Sequence, residues 1–218
     1  MKNQYHSKAE FTKAIRKEKP PLVFITGKAS TGKTTLSREL DALGYQLVVL
    51  DSIVLTSIVA RFQVPKEADA FPVYKGEVCS EWTNSFIRAT YKAISSKLKN
   101  GPVLVEGALA NNEILKKIFR GDLENFFFIF LSPSSIPKYT QRIKKRFTKG
   151  IDSRTTGLPP RFFSVVDDDE IKKYLDTHVV SATLLKKIEK FAIQAAKESA
   201  ERLQYFKTEF NNIVVVQI

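Results

Sequence analysis

Cysteine, tryptophan and methionine each occur once in these 218 residues, and histidine occurs twice. The single cysteine, Cys79, excludes an intrachain disulfide and a thiolate metal cluster, which fits a reducing compartment, and Cys79 itself reads as structural. His6 and His178 stand alone, without the spaced histidine and acidic partners that a metal motif requires. Long apolar runs are also missing. The longest covers 126–131, far short of the roughly 20 residues that a bilayer-spanning helix needs, and no apolar core follows Lys2 near the N-terminus. The expectation is a soluble cytoplasmic protein with no membrane partner. No repeat or low-complexity tract is visible, so solenoid and fibrous classes are set aside.

What is present is a globular composition with an uneven charge. Hydrophobic residues make up 43% of the chain, enough to bury the core of one domain. The formal net charge is +12, and between 117 and 161 ten Lys or Arg face three Asp or Glu. Clustered cations suit a polyphosphate substrate or nucleic acid, and a solvated basic surface is the plain alternative.

The run Gly27-Lys28-Ala29-Ser30-Thr31-Gly32-Lys33-Thr34-Thr35 follows the apolar stretch 22–26. It has the spacing of a glycine-containing loop whose backbone N–H groups converge on phosphate oxygens at the start of a helix. In that pattern Lys33 reaches the β- and γ-phosphates. Thr34 offers its hydroxyl to the magnesium ion bridging them, and Thr35 is a candidate for an α-phosphate contact. A bare glycine turn is the alternative. The flanks argue against it, because Leu36, Leu40 and Leu43 recur at helical spacing after the loop and Gly44 supplies a stop.

Further strands are expected at 46–50, 103–106, 126–131 and 213–216, short apolar runs of the kind that parallel sheets bury on both faces. With 22–26 they make five. Ser7-Lys8-Ala9-Glu10 has the form of a capping box and opens a leading helix that ends before Pro20. Trp82, Phe86, Ala89 and Ala93 predict a helix over 81–99, with the aromatic pair in the core, and a long apolar stripe predicts another over 182–206. The segments 63–77 and 148–161 read as loops bordering the active site.

Two strands end in an acid. Asp51 closes the second, where ligands of open α/β sheets bind; it could take the proton of a substrate hydroxyl, or Asp51 or Ser52 could cap the next helix. Glu106 closes the third, in the Walker B position by strand order. It could hold a magnesium-bound water or an acceptor group, or pair with Lys33 or an arginine. After the fourth strand, Arg142 and Arg146 share a helical face and are the first candidates for cations that stabilise a transferring phosphoryl group, with Arg154 second. Asp167, Asp168, Asp169 and Glu170 read as the cap and acidic first turn of a helix rather than as a metal cluster.

Together the loop at 27–35, the Leu50-Asp51-Ser52 and Val105-Glu106-Gly107 edges, and Arg142 to Arg146 leading to Gly150 and Arg154 resemble the nucleoside and nucleotide kinase branch of P-loop proteins. Uridine kinase-like enzymes are the nearest pattern, and Leu43-Gly44-Tyr45 also looks like dephospho-coenzyme A kinase. The resemblance implies an α/β, three-layer P-loop NTPase fold, with a five-stranded parallel sheet, helices on both faces and a mobile lid. It implies one domain with a leading helix at 1–19, an acceptor-site insert at about 52–100 and a lid at about 142–165. The implied activity is transfer of the γ-phosphate of ATP, with Mg2+, to a small-molecule hydroxyl. Asp51 would be the acceptor-binding acid, and Arg142 to Arg154 the lid cations. Departures are Phe147, where an acid often follows the lid arginine, and the absence of an aromatic directly after Ser52. A polynucleotide 5′-kinase and a nucleotide-binding regulator without turnover are the rival readings.

Overall fold

The computed structural model describes residues 4–54, 80–107, 112–152, 168–210 and 213–217. In chain order the described elements are β1 (Gln4–Tyr5), α1 (Lys8–Glu18), β2 (Leu22–Gly27), α2 (Lys33–Asp41), β3 (Gln46–Val49), α3 (Leu50–Val54) and α4 (Ser80–Leu98). They continue with β4 (Val103–Glu106), α5 (Asn112–Ile118), a 3-10 turn at Gly121–Leu123, β5 (Phe127–Ser132), α6 (Ile136–Asp152), α7 (Asp168–Thr177), α8 (Ala182–Glu209) and β6 (Ile213–Gln217).

The strands form one sheet in the order β1-β6-β5-β2-β4-β3, every pair parallel. Because strand side chains alternate between faces, each central strand feeds two cores. Phe24, Val105, Phe128 and Val215 go to one, against Phe86 and Ile94 of α4, Leu115 of α5 and Phe206 of α8. Val23, Ile25, Leu104, Ile129 and Val214 go to the other, against Phe11 and Ile15 of α1 and Leu36 and Leu40 of α2. That division is why the strands read as unbroken apolar runs, and it makes the fold three layers. Trp82 packs on the first core beside buried Phe86, as its helical spacing implied. A third cluster lies apart from the sheet: Tyr139, Ile143 and Phe147 of α6, Tyr174 of α7, and Leu184, Ile188, Ala192 and Ala195 of α8.

Among the described residues the sheet has six strands, not the expected five. Gln4 and Tyr5 pair with Val215 and Val216 as an added edge strand, and two residues carry no periodicity to read. The expected loop at 148–161 is also corrected at its start, since α6 continues to Asp152. Leu50, expected in a strand, opens α3 instead. Ser7 caps α1 as anticipated, its hydroxyl accepting from the N–H of Glu10 at 3.2 Å. Helix α7 opens at Asp168, so Asp169 and Glu170 lie in its first turn, and Glu170 pairs with Lys187 at 2.8 Å. Cys79, the segment 63–77, Arg154, Arg161 and Asp167 lie outside the described residues. Among the described residues no helix is long and apolar enough to cross a membrane.

Candidate active site

With every strand parallel, the carboxyl ends of β2, β3 and β4 share one edge of the sheet. In register, Ile25 lies opposite Glu106, and Glu106 opposite Val49, so the loop after β2, the acid ending β4 and the turn into α3 are neighbours. This is the edge where open α/β sheets bind ligands, beside the point at which strand order reverses.

The loop from Gly27 to Lys33 is shaped by its glycines. A Cβ on Gly27 would stand 2.7 Å from the carbonyl oxygen of Leu131 and 2.8 Å from the Thr31 hydroxyl, and its φ is +154°. Gly32, the N-cap of α2, has φ +78° with open space where a Cβ would lie, so its requirement is conformational. Ser30 holds a left-handed φ of 64° without being glycine, and its hydroxyl is buried with no hydrogen-bond partner among the described residues. The Thr31 hydroxyl donates to the Lys28 carbonyl at 2.7 Å and closes the loop on itself.

Lys33 enters this loop from the first turn of α2. Its ammonium donates to the carbonyls of Gly27 at 2.8 Å and Lys28 at 3.1 Å. Burial pushes it down from its ordinary 10.5 to about 8; Glu106 and then Asp51 pull it back up, and Arg146 pushes further down. Those four charges therefore converge. The Thr34 hydroxyl donates to Oε1 of Glu106 at 2.8 Å, and Glu106 is only 8% exposed. Asp51 sits in the first turn of α3 with its side chain open to solvent.

Helices α6 and α8 hold the outer limb of the loop. The Tyr139 hydroxyl donates to the Ala29 carbonyl at 2.9 Å, and the Lys28 ammonium meets Oε2 of Glu198 at 2.6 Å. Burial raises the Tyr139 phenol well above its ordinary 10, with Arg146 opposing and Glu198 adding to the rise. Partial burial lowers Arg146, which Tyr139 counters.

Of the residues singled out from sequence, the structure brings together Lys33, Thr34, Asp51, Glu106 and Arg146. Arg142 is exposed on α6 and is not among the groups that shift Lys33; Thr35 is exposed one residue past Thr34. Tyr139 and Glu198 were missed. Tyr139 stands inside the basic run and Glu198 inside a long amphipathic helix, and neither carries a local signal of contact with a loop more than 100 residues upstream.

The donor set fits a hard cation held between protein and phosphate. A hydroxyl and a carboxylate already in contact are oxygen ligands, and magnesium takes one or two such groups and completes its shell with water and phosphate. Among the described residues no group of three or more His, Cys, Asp or Glu is placed to hold a metal alone. The buried, unpartnered Ser30 hydroxyl and the left-handed loop around it fit an anion cradle.

No protein-family model matches the chain, and no curated protein matches it. Among solved structures it is similar to a gluconokinase from Sinorhizobium meliloti 1021, at 16% identity and a TM-score of 0.40 over 86% of this chain and 97% of that one. It is also similar to the shikimate kinase of Bacteroides thetaiotaomicron, at 14% identity and 0.39 over 85% and 97%. The shikimate kinase of Acinetobacter baumannii in complex with shikimate matches at 17% identity and 0.33 over 91% and 98%. Likeness at this level bears on neither substrate nor chemistry.

Proposed function

We propose that this protein is an ATP- and magnesium-dependent phosphotransferase that moves the γ-phosphate to the hydroxyl of a small molecule. One observation carries the reading: the Thr34 hydroxyl and the Glu106 carboxylate meet at 2.8 Å beside the loop that folds around Lys33. A loop that bound phosphate for structural reasons alone would have no use for a buried carboxylate at its base, which repels phosphate unless a cation lies between them.

In this reading the backbone of residues 27–35 cradles the polyphosphate. Lys33 turns from the Gly27 and Lys28 carbonyls to the β- and γ-phosphates, and Thr34 and Glu106 hold magnesium. Magnesium bound there would supply charge neutralisation of the polyphosphate. Asp51 receives the proton of the acceptor hydroxyl as its oxygen bonds to the γ-phosphorus, and the bond from that phosphorus to the β-bridging oxygen breaks with its electron pair leaving on ADP. Arg146, whose charge reaches Lys33, stabilises charge on the transferring group.

A nucleoside or a coenzyme A precursor is the acceptor favoured by the resemblances of the Leu50-Asp51-Ser52 and Leu43-Gly44-Tyr45 stretches. The test is ADP release with Mg-ATP and a panel of nucleosides, coenzyme A precursors and sugars. Acceptor-dependent ADP release that disappears in Lys33→Ala supports the reading. Tight ATP binding with no stimulation by any acceptor overturns it in favour of a regulator.

A further inference from the structure

Helix α6 presents two different faces. Tyr139, Thr140, Ile143 and Phe147 are buried against α7 and α8, whereas Lys138, Arg142, Lys145 and Lys149 are exposed. Their spacings of four, three and four residues place these cations on one stripe, about 60° wide at the helical turn of roughly 100° per residue. At a rise of about 1.5 Å per residue the stripe runs about 16 Å.

Among the described residues, Lys138, Arg142 and Lys145 make no ion pair. Some other surface lysines are paired. Lys8 pairs with Glu39 and Lys116 with Glu209, and the open side of the adjoining α8 mixes Glu189 and Glu201 with its lysines. Like charges three and four apart weaken a helix, so Lys138, Arg142 and Lys145 work against the stability of α6 itself. The Tyr139 bond ties the packed side of α6 to the loop at 27–33, and the stripe lies on the opposite, outer side of the helix.

The chemistry of the stripe selects its partner. A single phosphate group is outreached by Lys138, Arg142 and Lys145 in a row, while a repeated phosphate meets them in turn. A lipid-surface helix needs apolar residues beside its basic ones, and among the described residues none of the exposed large hydrophobic ones, Leu175, Val179, Ile193 and Tyr205, lies on α6. No aromatic on α6 is exposed to stack on bases. We propose that the outer face of α6 docks a nucleic-acid strand through its phosphates, without regard to sequence. This surface is separate from phosphoryl transfer and does not depend on it.

Fluorescence anisotropy of a labelled single-stranded 20-mer tests it, using the full chain at 25 to 200 mM salt with and without saturating Mg-ATP. Binding is expected at low salt, undisplaced by Mg-ATP. The triple variant Lys138→Ala/Arg142→Ala/Lys145→Ala should bind at least tenfold more weakly. Its dependence of log affinity on log salt should be about 2 units shallower, at roughly 0.7 per lost single-strand contact. The control Lys172→Ala/Lys186→Ala/Lys190→Ala removes the same charge from exposed positions of α7 and α8 and should change affinity less than twofold. The stripe cations are exposed and mutually repelling, so the alanine variant keeps the fold, which circular dichroism checks. Absence of binding at 25 mM salt, equal losses in the two triple variants, displacement by Mg-ATP, or tighter binding to phosphatidylserine vesicles than to the strand each overturns the proposal.

Discussion

The hydroxyl of Tyr139 donates to the carbonyl oxygen of Ala29 across 2.9 Å, tying the first turn of α6 to the outer limb of the phosphate loop. The ring is 2% exposed within the α6–α7–α8 cluster, so the tether is anchored in packed side chains rather than swinging free. Burial raises the phenol well above 10, and it remains a donor across the working pH range. Tyr139→Phe keeps the ring and removes only the bond. It should lower stability by about 1 kcal/mol and nucleotide affinity by several-fold, because the loop then orders at the expense of binding. Chemical denaturation and nucleotide titration check this; a variant matching the parent in both would show that the bond positions nothing.

The Thr34–Glu106 contact predicts a split between nucleotide and metal. Glu106→Gln preserves shape and removes the charge, so ATP measured in EDTA should bind at least as well as to the parent, while added magnesium should no longer strengthen binding. Thr34→Ala should likewise lose most of the magnesium effect. It leaves the buried carboxylate one donor short, at a cost of about 1 to 3 kcal/mol in stability. Nucleotide titrations with and without magnesium decide it. An unchanged magnesium effect in both variants removes these residues from the metal site.

How much of this was legible in the sequence differs between elements for physical reasons. Residues 103–106 and 213–216 were readable because strands buried on both faces need apolar residues at every position, a demand visible locally. The loop at 27–33 was readable because its conformation admits few residue types. Gln4–Tyr5 was not, since its strand state is decided by β6 at the opposite end of the chain. The boundary at Leu50 was misplaced because an apolar residue serves a strand end and a helix start equally. Tyr139 and Glu198 meet the loop across 110 and 170 residues, a relationship set by the packing of α6 and α8.

Lys33 predicts a pH dependence with a definite sign. Its folded-state value of about 8 lies below the ordinary 10.5, so the two states hold the same proton below pH 8. Between about 8 and 10.5 the unfolded chain keeps a proton that the folded chain has shed, and stability rises with pH relative to a Lys33→Met variant lacking the group. Phosphate reverses the effect by favouring the charged ammonium. ATP binding should therefore take up almost no proton at pH 7 and approach one at pH 9.5, with affinity declining above pH 8. Calorimetry in buffers of different ionisation enthalpy measures the uptake; a flat value across that range rules out a lowered Lys33.

Gly107 predicts that one methyl group disturbs the acceptor side while leaving the phosphate loop alone. A Cβ there would stand 2.6 Å from Cδ1, 2.9 Å from Cγ and 3.0 Å from Cβ of Leu50. Leu50 is fully buried and its own Cβ is part of the overlap, so rotating the side chain does not clear it, and the start of α3 has to move. Gly107→Ala should cost about 1 to 3 kcal/mol. Because Asp51 follows Leu50 directly, acceptor-dependent turnover should fall tenfold or more, with ATP affinity changed less than twofold. Leu50→Ala makes room at its own cost of about 2 to 5 kcal/mol. The double variant should then be more stable than the sum of the single losses by at least about 1 kcal/mol, since the added methyl occupies the space vacated. Strict additivity in the denaturation cycle would mean that the two positions do not compete for that space, and that Asp51 is held by something other than the packing of Leu50 on Gly107.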